Sequence, residues 1–183
     1  MFIANVITLL RNTIPAIQWL EGKNWAAGAH TSYLEFKGNE LAGKKVGMVG
    51  FGAVGQFIAR MLVNFPAEIY YYDPYYTDPN KDFKKVELTE LFAVCDVVGI
   101  HLPVTTETEG MIDQKYLSLL KPDAIFVNTA RSVVVNREDL LAVIEGNKIR
   151  GAVLDVFYNE PPDEIDYKMI LHKNVIATPH IAG

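Results

Sequence analysis

The sequence predicts an α/β protein: a doubly wound parallel sheet, three layers deep, with a helix in front of it. Three observations carry that prediction. Short apolar runs alternate with helical stretches from Val46 onward, a glycine-punctuated turn follows the first run, and an acidic residue closes the second. Apolar runs without polar alternation belong to strands covered on both faces, which crossover helices between parallel strands provide. No internal repeat, low-complexity tract or long interior linker divides the chain. One domain over 1–183 is expected, with an N-terminal helix and connecting segment over 1–40 and the core over 41–183.

In chain order, residues 1–20 come first, rich in Phe, Ile, Val, Leu and Trp. Asn5, Arg11, Asn12 and Pro15 interrupt that run well short of a membrane span, and no cationic stretch precedes it as in a signal peptide. An amphipathic helix burying Ile3, Val6, Ile7 and Leu10 is expected instead. It starts without a capping residue, as an element entered in its middle does. Val46 to Val49 read as the first strand, and the helix after its glycine turn sets Phe57, Ile58, Met61 and Leu62 on one face. The second strand is the tyrosine run ending in Asp73; neighbouring Tyr70, Tyr71 and Tyr72 alternate sides and read as core. Val97 to His101, Ala124 to Asn128, Gly151 to Val156 and Val175 to Ala177 read as strands three to six. Thr89 to Val94, Gln114 to Leu120 and Arg137 to Glu145 read as helices between them, and Lys81, Lys84 and Lys85 as a solvated group.

The first turn carries chemistry. Gly50, Gly52 and Gly55 follow a strand in the spacing G-x-G-x-x-G, and Asp73 lies about eighteen residues beyond the last of them. Gly50 permits the tight turn, Gly52 lets the backbone approach a pyrophosphate, and Gly55 lets the following helix pack on the strand. The phosphates then meet the N-terminus of a helix opening at Ala53 and Val54, where free N–H groups and the dipole favour an anion. Asp73, followed by Pro74, accepts hydrogen bonds from a ribose 2′- and 3′-hydroxyl and repels a 2′-phosphate, so this Rossmann-type unit is expected to take NAD rather than NADP.

Composition sets the limits. Half of the 183 residues are hydrophobic and the formal net charge is -5, which suits a soluble domain with a substantial core. Nucleic-acid phosphates are repelled by that charge, and no Lys/Arg cluster with interleaved aromatics offsets it. The single cysteine, Cys95, forms no internal disulfide and reads as a small thiol packed before a strand; a cytoplasmic location is expected. No membrane partner and no metal are expected. His30 and His172 fall outside every motif, and Trp19 and Trp25 read as packing or interface residues.

Ligands of such sheets bind beyond the carboxyl ends of the strands. The residues there form a set: His101-Leu102-Pro103, Thr129-Ala130-Arg131, Asp155 with Glu160, and Thr178-Pro179-His180. Arginine offers a planar fork for a carboxylate, histidine exchanges a proton near neutral pH, and a glutamate beside it orients the ring. Together they suit hydride transfer at a carbon that bears an oxygen and neighbours a carboxylate. Arg131 binds the substrate, His180 takes the hydroxyl proton and Glu160 holds the imidazole.

At these residues the chain resembles the D-isomer-specific 2-hydroxyacid dehydrogenases. The resemblance rests on Glu40 through Gly55, His101-Leu-Pro, Asn128-Thr-Ala-Arg131, Gly151-Ala-Val-Leu-Asp155-Val-Phe, Glu160-Pro-Pro and Thr178-Pro-His180-Ile-Ala-Gly183, in order and at the family's spacing. It implies Arg131 as the substrate-binding arginine, His180 as general acid/base, Glu160 as its partner and Asp155 as the residue facing the nicotinamide carboxamide. It further implies His101, Leu102 and Pro103 beside the adenine, Thr108 near the pyrophosphate, and Thr129 and Ala130 with Arg131 and His180 along the cofactor. The substrate implied is a small 2-hydroxy or 2-keto acid. Where the family usually has glycine after the arginine, this chain has Ser132; a positive φ there would cost ~1 kcal/mol.

Family members are longer, with a substrate domain that this chain lacks, so the expectation is a chain that binds NAD and turns over poorly. The helix over 1–20 corresponds to an element through which family dimers pair, and a homodimer is expected. Three alternatives are an NAD(H)-sensing module like the family's corepressors, a parent enzyme for phosphite, and a purely structural domain, which leaves the strand-end set unexplained. Formate is disfavoured because formate enzymes carry glutamine where this chain has Glu160.

Overall fold

The computed structural model describes residues 1–25 and 29–182. Among them, β1 (Lys45–Val49), β2 (Glu68–Tyr72), β3 (Lys84–Lys85), β4 (Val97–Ile100), β5 (Ile125–Asn128), β6 (Gly151–Leu154) and β7 (Val175–Ala177) form one sheet. Every pairing is parallel, and the spatial order is β3-β2-β1-β4-β5-β6-β7. The order reverses between β1 and β4, where Val49 lies in register with Ile100. A crevice at the carboxyl ends of the strands is the consequence of such a reversal.

The helices are α1 (Phe2–Leu10), α2 (Thr13–Glu21), α3 (Ala29–Glu35), α4 (Ala53–Leu62), α5 (Leu88–Val94), α6 (Gln114–Leu117), α7 (Arg137–Glu145) and α8 (Glu164–Ile170). Alternation along the strands divides the interior in two. Val46, Met48, Tyr71, Val97 and Val127 pack with Phe2, Val6 and Leu10 of α1 and Ile58, Ala59 and Leu62 of α4. Tyr70, Val98, Ile100, Phe126 and Leu154 pack on the other face with Leu91 of α5, Leu117 of α6 and Leu140 of α7. Cys95 belongs to this second core as a buried free thiol, and burial pushes its pKa up to about 12.

Several expectations are corrected. Residues 1–20 form two helices, not one: Arg150 at the start of β6 donates to the carbonyls of Leu9 and Leu10 and to Asn12 Oδ1, and Asn12 turns left-handed at φ 53°. A cation on the terminal carbonyls ends α1, and Pro15, which lacks an N–H, fits the first turn of α2. Within α1 the buried stripe is Phe2, Val6 and Leu10; Ile3 and Ile7 are only partly covered. In α4 the buried face is Gly55, Ile58, Ala59 and Leu62, while Phe57 and Met61 are exposed, because Gly55 seats against the Gly50 carbonyl and turns that side to the sheet.

Lys84 and Lys85 are exposed, as the sequence reads, and they also form a short edge strand beside β2. The Lys84 ammonium reaches Glu68 at 2.7 Å and lies 5.0 Å from the centre of the Tyr70 ring. Lysines on an edge strand discourage pairing with another sheet. Ser132 has no positive φ; it opens a 3-10 turn over Ser132–Val134, buried, with its hydroxyl donating to the Phe157 carbonyl at 2.8 Å.

Candidate active site and cofactor cleft

The glycine turn sits at the point where the strand order reverses. Gly50 has φ 92°, and a Cβ there would stand 2.7 Å from the His101 carbonyl oxygen on β4's exit loop. Gly55 is equally confined, its Cβ position lying 2.6 Å from the Gly50 carbonyl oxygen. A Cβ on Gly52 would meet nothing within 4 Å. Two glycines therefore close the backbone on itself, and the third leaves a bare stretch of chain before the helix. Gly52 is the N-cap of α4, and no side chain hydrogen-bonds to the first turn at Ala53 and Val54.

A cleft of about 570 Å³ opens there, lined by Gly50, Gly52, Asp73, Pro74, His101, Leu102, Pro103 and Thr108 among others. The Asp73 carboxylate bridges its two walls. One oxygen accepts from Phe51 N at 2.8 Å, and the other from Tyr75 N at 2.9 Å and Tyr76 N at 3.0 Å. A carboxylate has about four acceptor positions; three are taken here, and the one left, on the oxygen that faces Phe51 N, can accept from a ribose hydroxyl. Thr108 folds its own loop, accepting from Thr105 N at 2.8 Å and donating to the Pro103 carbonyl at 2.7 Å. A bare glycine turn, an unblocked helix N-terminus and a carboxylate at the far wall fit the pyrophosphate and ribose of NAD. Phe51, Gln56 and Met111 also line this cleft without a signal in the sequence, and so does Tyr72, which reads as core from its strand but is only partly buried at the strand's end.

His101 does two things at once. It lines the cleft, yet its ring packs against Phe2 of α1 with centroids 5.6 Å apart, and its buried Nε2 has no hydrogen-bond partner. Burial lowers its pKa to about 4, so the ring is neutral.

The second group of strand-end residues lies beyond β5, β6 and β7. Asn128 shapes the turn at Thr129 and Ala130: its amide donates to the Arg131 carbonyl at 3.0 Å and its oxygen accepts from Ala130 N at 3.1 Å. Arg131 is exposed, with one guanidinium nitrogen donating to the Ala130 carbonyl at 2.6 Å. Glu160 and His180 meet directly, Oε1 standing 2.8 Å and Oε2 3.1 Å from Nδ1. An ionised carboxylate only accepts, so Nδ1 carries the proton and Nε2 is left to exchange one. Both residues line a cleft of about 420 Å³ with Phe157, Pro161, Tyr167 and Thr178.

Asp155 holds the loop on which His180 stands. Fully buried, it accepts from the Thr178 hydroxyl, from Ile181 N at 3.0 Å and from Ala182 N at 2.7 Å. His180 itself has φ 55°, an uncommon backbone state for a histidine, and these bonds flank it on both sides. The structure thus joins Glu160 with His180 and Asp155 with the His180 loop, while the Arg131 side chain bonds only to its own turn among the described residues. Gly183, the last residue of the closing motif, lies outside the described residues.

The family model for the D-isomer specific 2-hydroxyacid dehydrogenase NAD binding domain matches residues 3–182. The chain is similar to a putative 2-hydroxyacid dehydrogenase of Bacillus subtilis, YoaD, at 55% identity over 183 residues, 100% of this chain and 53% of that one. It is 39% identical over 148 residues to the hydroxypyruvate reductase of Thermotoga maritima, covering 80% of this chain and 48% of that one. Among solved structures, the D-lactate dehydrogenase of Aquifex aeolicus complexed with NAD and lactic acid superposes with a TM-score of 0.87 at 27% identity, over 98% of this chain and 57% of that one. This chain spans about half the length of these two curated relatives.

Proposed function

We propose that this chain, which belongs to the D-isomer-specific 2-hydroxyacid dehydrogenase family as its NAD-binding domain, contributes the cofactor side and the proton-transfer residues to hydride exchange between NAD(H) and a D-2-hydroxy acid/2-keto acid pair. The observation that carries this reading is the Glu160 carboxylate 2.8 Å from Nδ1 of His180 at the carboxyl end of the sheet. NAD, when bound, supplies the hydride acceptor or donor. The chain's own residues do the rest. Arg131 pairs with the substrate carboxylate, His180 holds or releases the hydroxyl proton at Nε2, and Glu160 keeps the ring in the required tautomer. Asp73, Pro74 and the Gly50–Gly55 turn hold the adenosine and pyrophosphate, with Thr108 near the pyrophosphate and His101, Leu102 and Pro103 along the adenine side. Asp155, Thr129 and Ala130 lie toward the nicotinamide.

In a protein that joins this domain to the remaining half of the enzyme, His180→Ala lowers kcat by about 10²–10⁴-fold while NADH still binds. An undiminished rate overturns the assignment. The 183-residue chain by itself is expected to bind NAD and turn over little, since it spans about half the length of the dehydrogenases it resembles. A steady-state rate on the order of 10 per second on a 2-keto acid contradicts that expectation.

A homodimer is part of the same proposal. Helix α2 buries none of its residues and leaves Ile14, Ile17 and Leu20 exposed, and α4 leaves Val54, Phe57 and Met61 exposed at helical spacing. Apolar stripes of this kind mark association surfaces. Sedimentation at high protein concentration is expected to give a dimer, and a clean monomer contradicts it. The buried thiol of Cys95 suits a cytoplasmic setting. Among the described residues no helix is long and apolar enough to cross a membrane.

A further inference from the structure

Glu160 stands on the loop between β6 and α8, and something must fix that loop for its carboxylate to meet His180. The structure places the fixing group beneath it. Asp166, in the first turn of α8, is fully buried and accepts from three loop N–H groups: Tyr158 at 3.4 Å, Asn159 at 3.1 Å and Asp163 at 3.4 Å. These donors flank Glu160 on both sides. A buried carboxylate is tolerated only with a compensating cation, and Arg137 at the start of α7 supplies it. Its Nη2 lies 3.0 Å from Asp166 Oδ1 and also pairs with Asp163, whose side chain caps α8. Both contacts run through one nitrogen, and Nε is buried without a partner. The guanidinium carbon sits 5.2 Å from the centre of the Tyr158 ring, and the Tyr158 hydroxyl donates to the Val135 carbonyl at 2.6 Å. From Arg137 the connection to the loop is therefore continuous and made of charge-assisted bonds, which are the stronger kind.

We propose that Arg137, acting through Asp166, is a positioning residue for the Glu160–His180 pair: it fixes the loop that aims Glu160 at Nδ1 and so holds His180 in its Nδ1–H tautomer. This rests on the reading of that pair as the proton-transfer couple. Arg137 touches neither residue, and its role is exerted through the Tyr158–Asp163 backbone.

The test reads the tautomer itself. Long-range ¹H–¹⁵N spectra of the chain are recorded at about pH 9, well above the ordinary histidine range, where the two neutral tautomers have distinct ring-nitrogen shifts. Glu160→Ala serves as the reference for an uncoupled ring. In the unmodified chain His180 is expected to be mainly Nδ1–H, and Glu160→Ala to shift it toward the Nε2–H form that an unpartnered histidine prefers. Arg137→Met is expected to lower the Nδ1–H share at least about twofold. Arg137→Lys is expected to keep it, because a single ammonium can bridge both carboxylates as Nη2 does. Should Arg137→Met unfold, as an amide fingerprint spectrum would reveal, the milder Arg137→Gln carries the comparison.

NADH affinity serves as the control for a merely structural loss and is expected to stay within about twofold in all Arg137 variants, roughly 0.4 kcal/mol. A folded Arg137→Met or Arg137→Gln chain with the unmodified tautomer ratio overturns the proposal while leaving the Glu160–His180 couple intact. A Glu160→Ala chain that keeps the ratio removes the couple, and the proposal falls with it.

Discussion

Gly50→Ala is expected to destabilise the chain by about 3 kcal/mol and to abolish measurable NADH binding. Two independent terms add. Gly50 holds φ 92°, a region in which a Cβ costs roughly 1–2 kcal/mol. The new atom would also stand 2.7 Å from the His101 carbonyl oxygen and 2.9 Å from its carbon, both backbone atoms that no rotamer change can move aside. Relief requires parting β1 from β4 at their carboxyl ends, which is where the cleft is formed. Gly52→Ala provides the contrast: its Cβ meets nothing within 4 Å, so stability changes little, yet the atom projects where phosphate must approach the backbone. Urea denaturation and calorimetric titration of the two variants separate the effects. A Gly50→Ala chain with unchanged midpoint and affinity contradicts the account of the turn.

Acidification from about pH 7.5 to about pH 5 is expected to cost about 2 kcal/mol of stability through His101 alone. Its pKa is lowered from 6.5 to about 4 by burial against α1. In the unfolded chain the ring takes up a proton near pH 6.5; in the folded chain it does so only near pH 4. Between those values the unfolded state binds more protons, so stability falls as pH falls, and the loss is complete below the folded pKa. His101→Phe removes the titrating group and keeps a ring against Phe2. The difference between the two chains in denaturation free energy, followed against pH, should open across this window and stay constant outside it. Parallel curves would mean that His101 is charged, or water-exposed, in the folded chain.

Much of this fold is legible in the sequence because the signals are local. The Gly50–Gly55 turn and Asp73 lie within two elements that pair directly, so spacing alone places them on one cleft. The strands stand out as apolar runs because the sheet is covered on both faces. What escapes is set by contacts distant in sequence. Nothing near residues 1–20 announces that Arg150 ends α1 at Leu10, and β3 is two lysines whose pairing to β2 has no apolar pattern. Phe57 and Met61 read as buried although they are exposed, because apolar residues occupy both sides of α4 and only the fit of Gly55 on Gly50 decides which side faces the sheet. Glu160 and His180 are legible as residue types at strand ends, and their proximity is a property of the folded loops. Arg137 reads as an ordinary first-turn residue of α7, since its carboxylate partners come from α8 and its cap.

The central claim is a cleft built for NAD, and calorimetric titration of the chain with NADH, with NADPH as comparator, tests it most directly. The expected result is saturable NADH binding at micromolar to sub-millimolar affinity, with NADPH weaker by about tenfold or more because the Asp73 carboxylate opposes a 2′-phosphate. Equal or tighter binding of NADPH, or binding of neither, would contradict it.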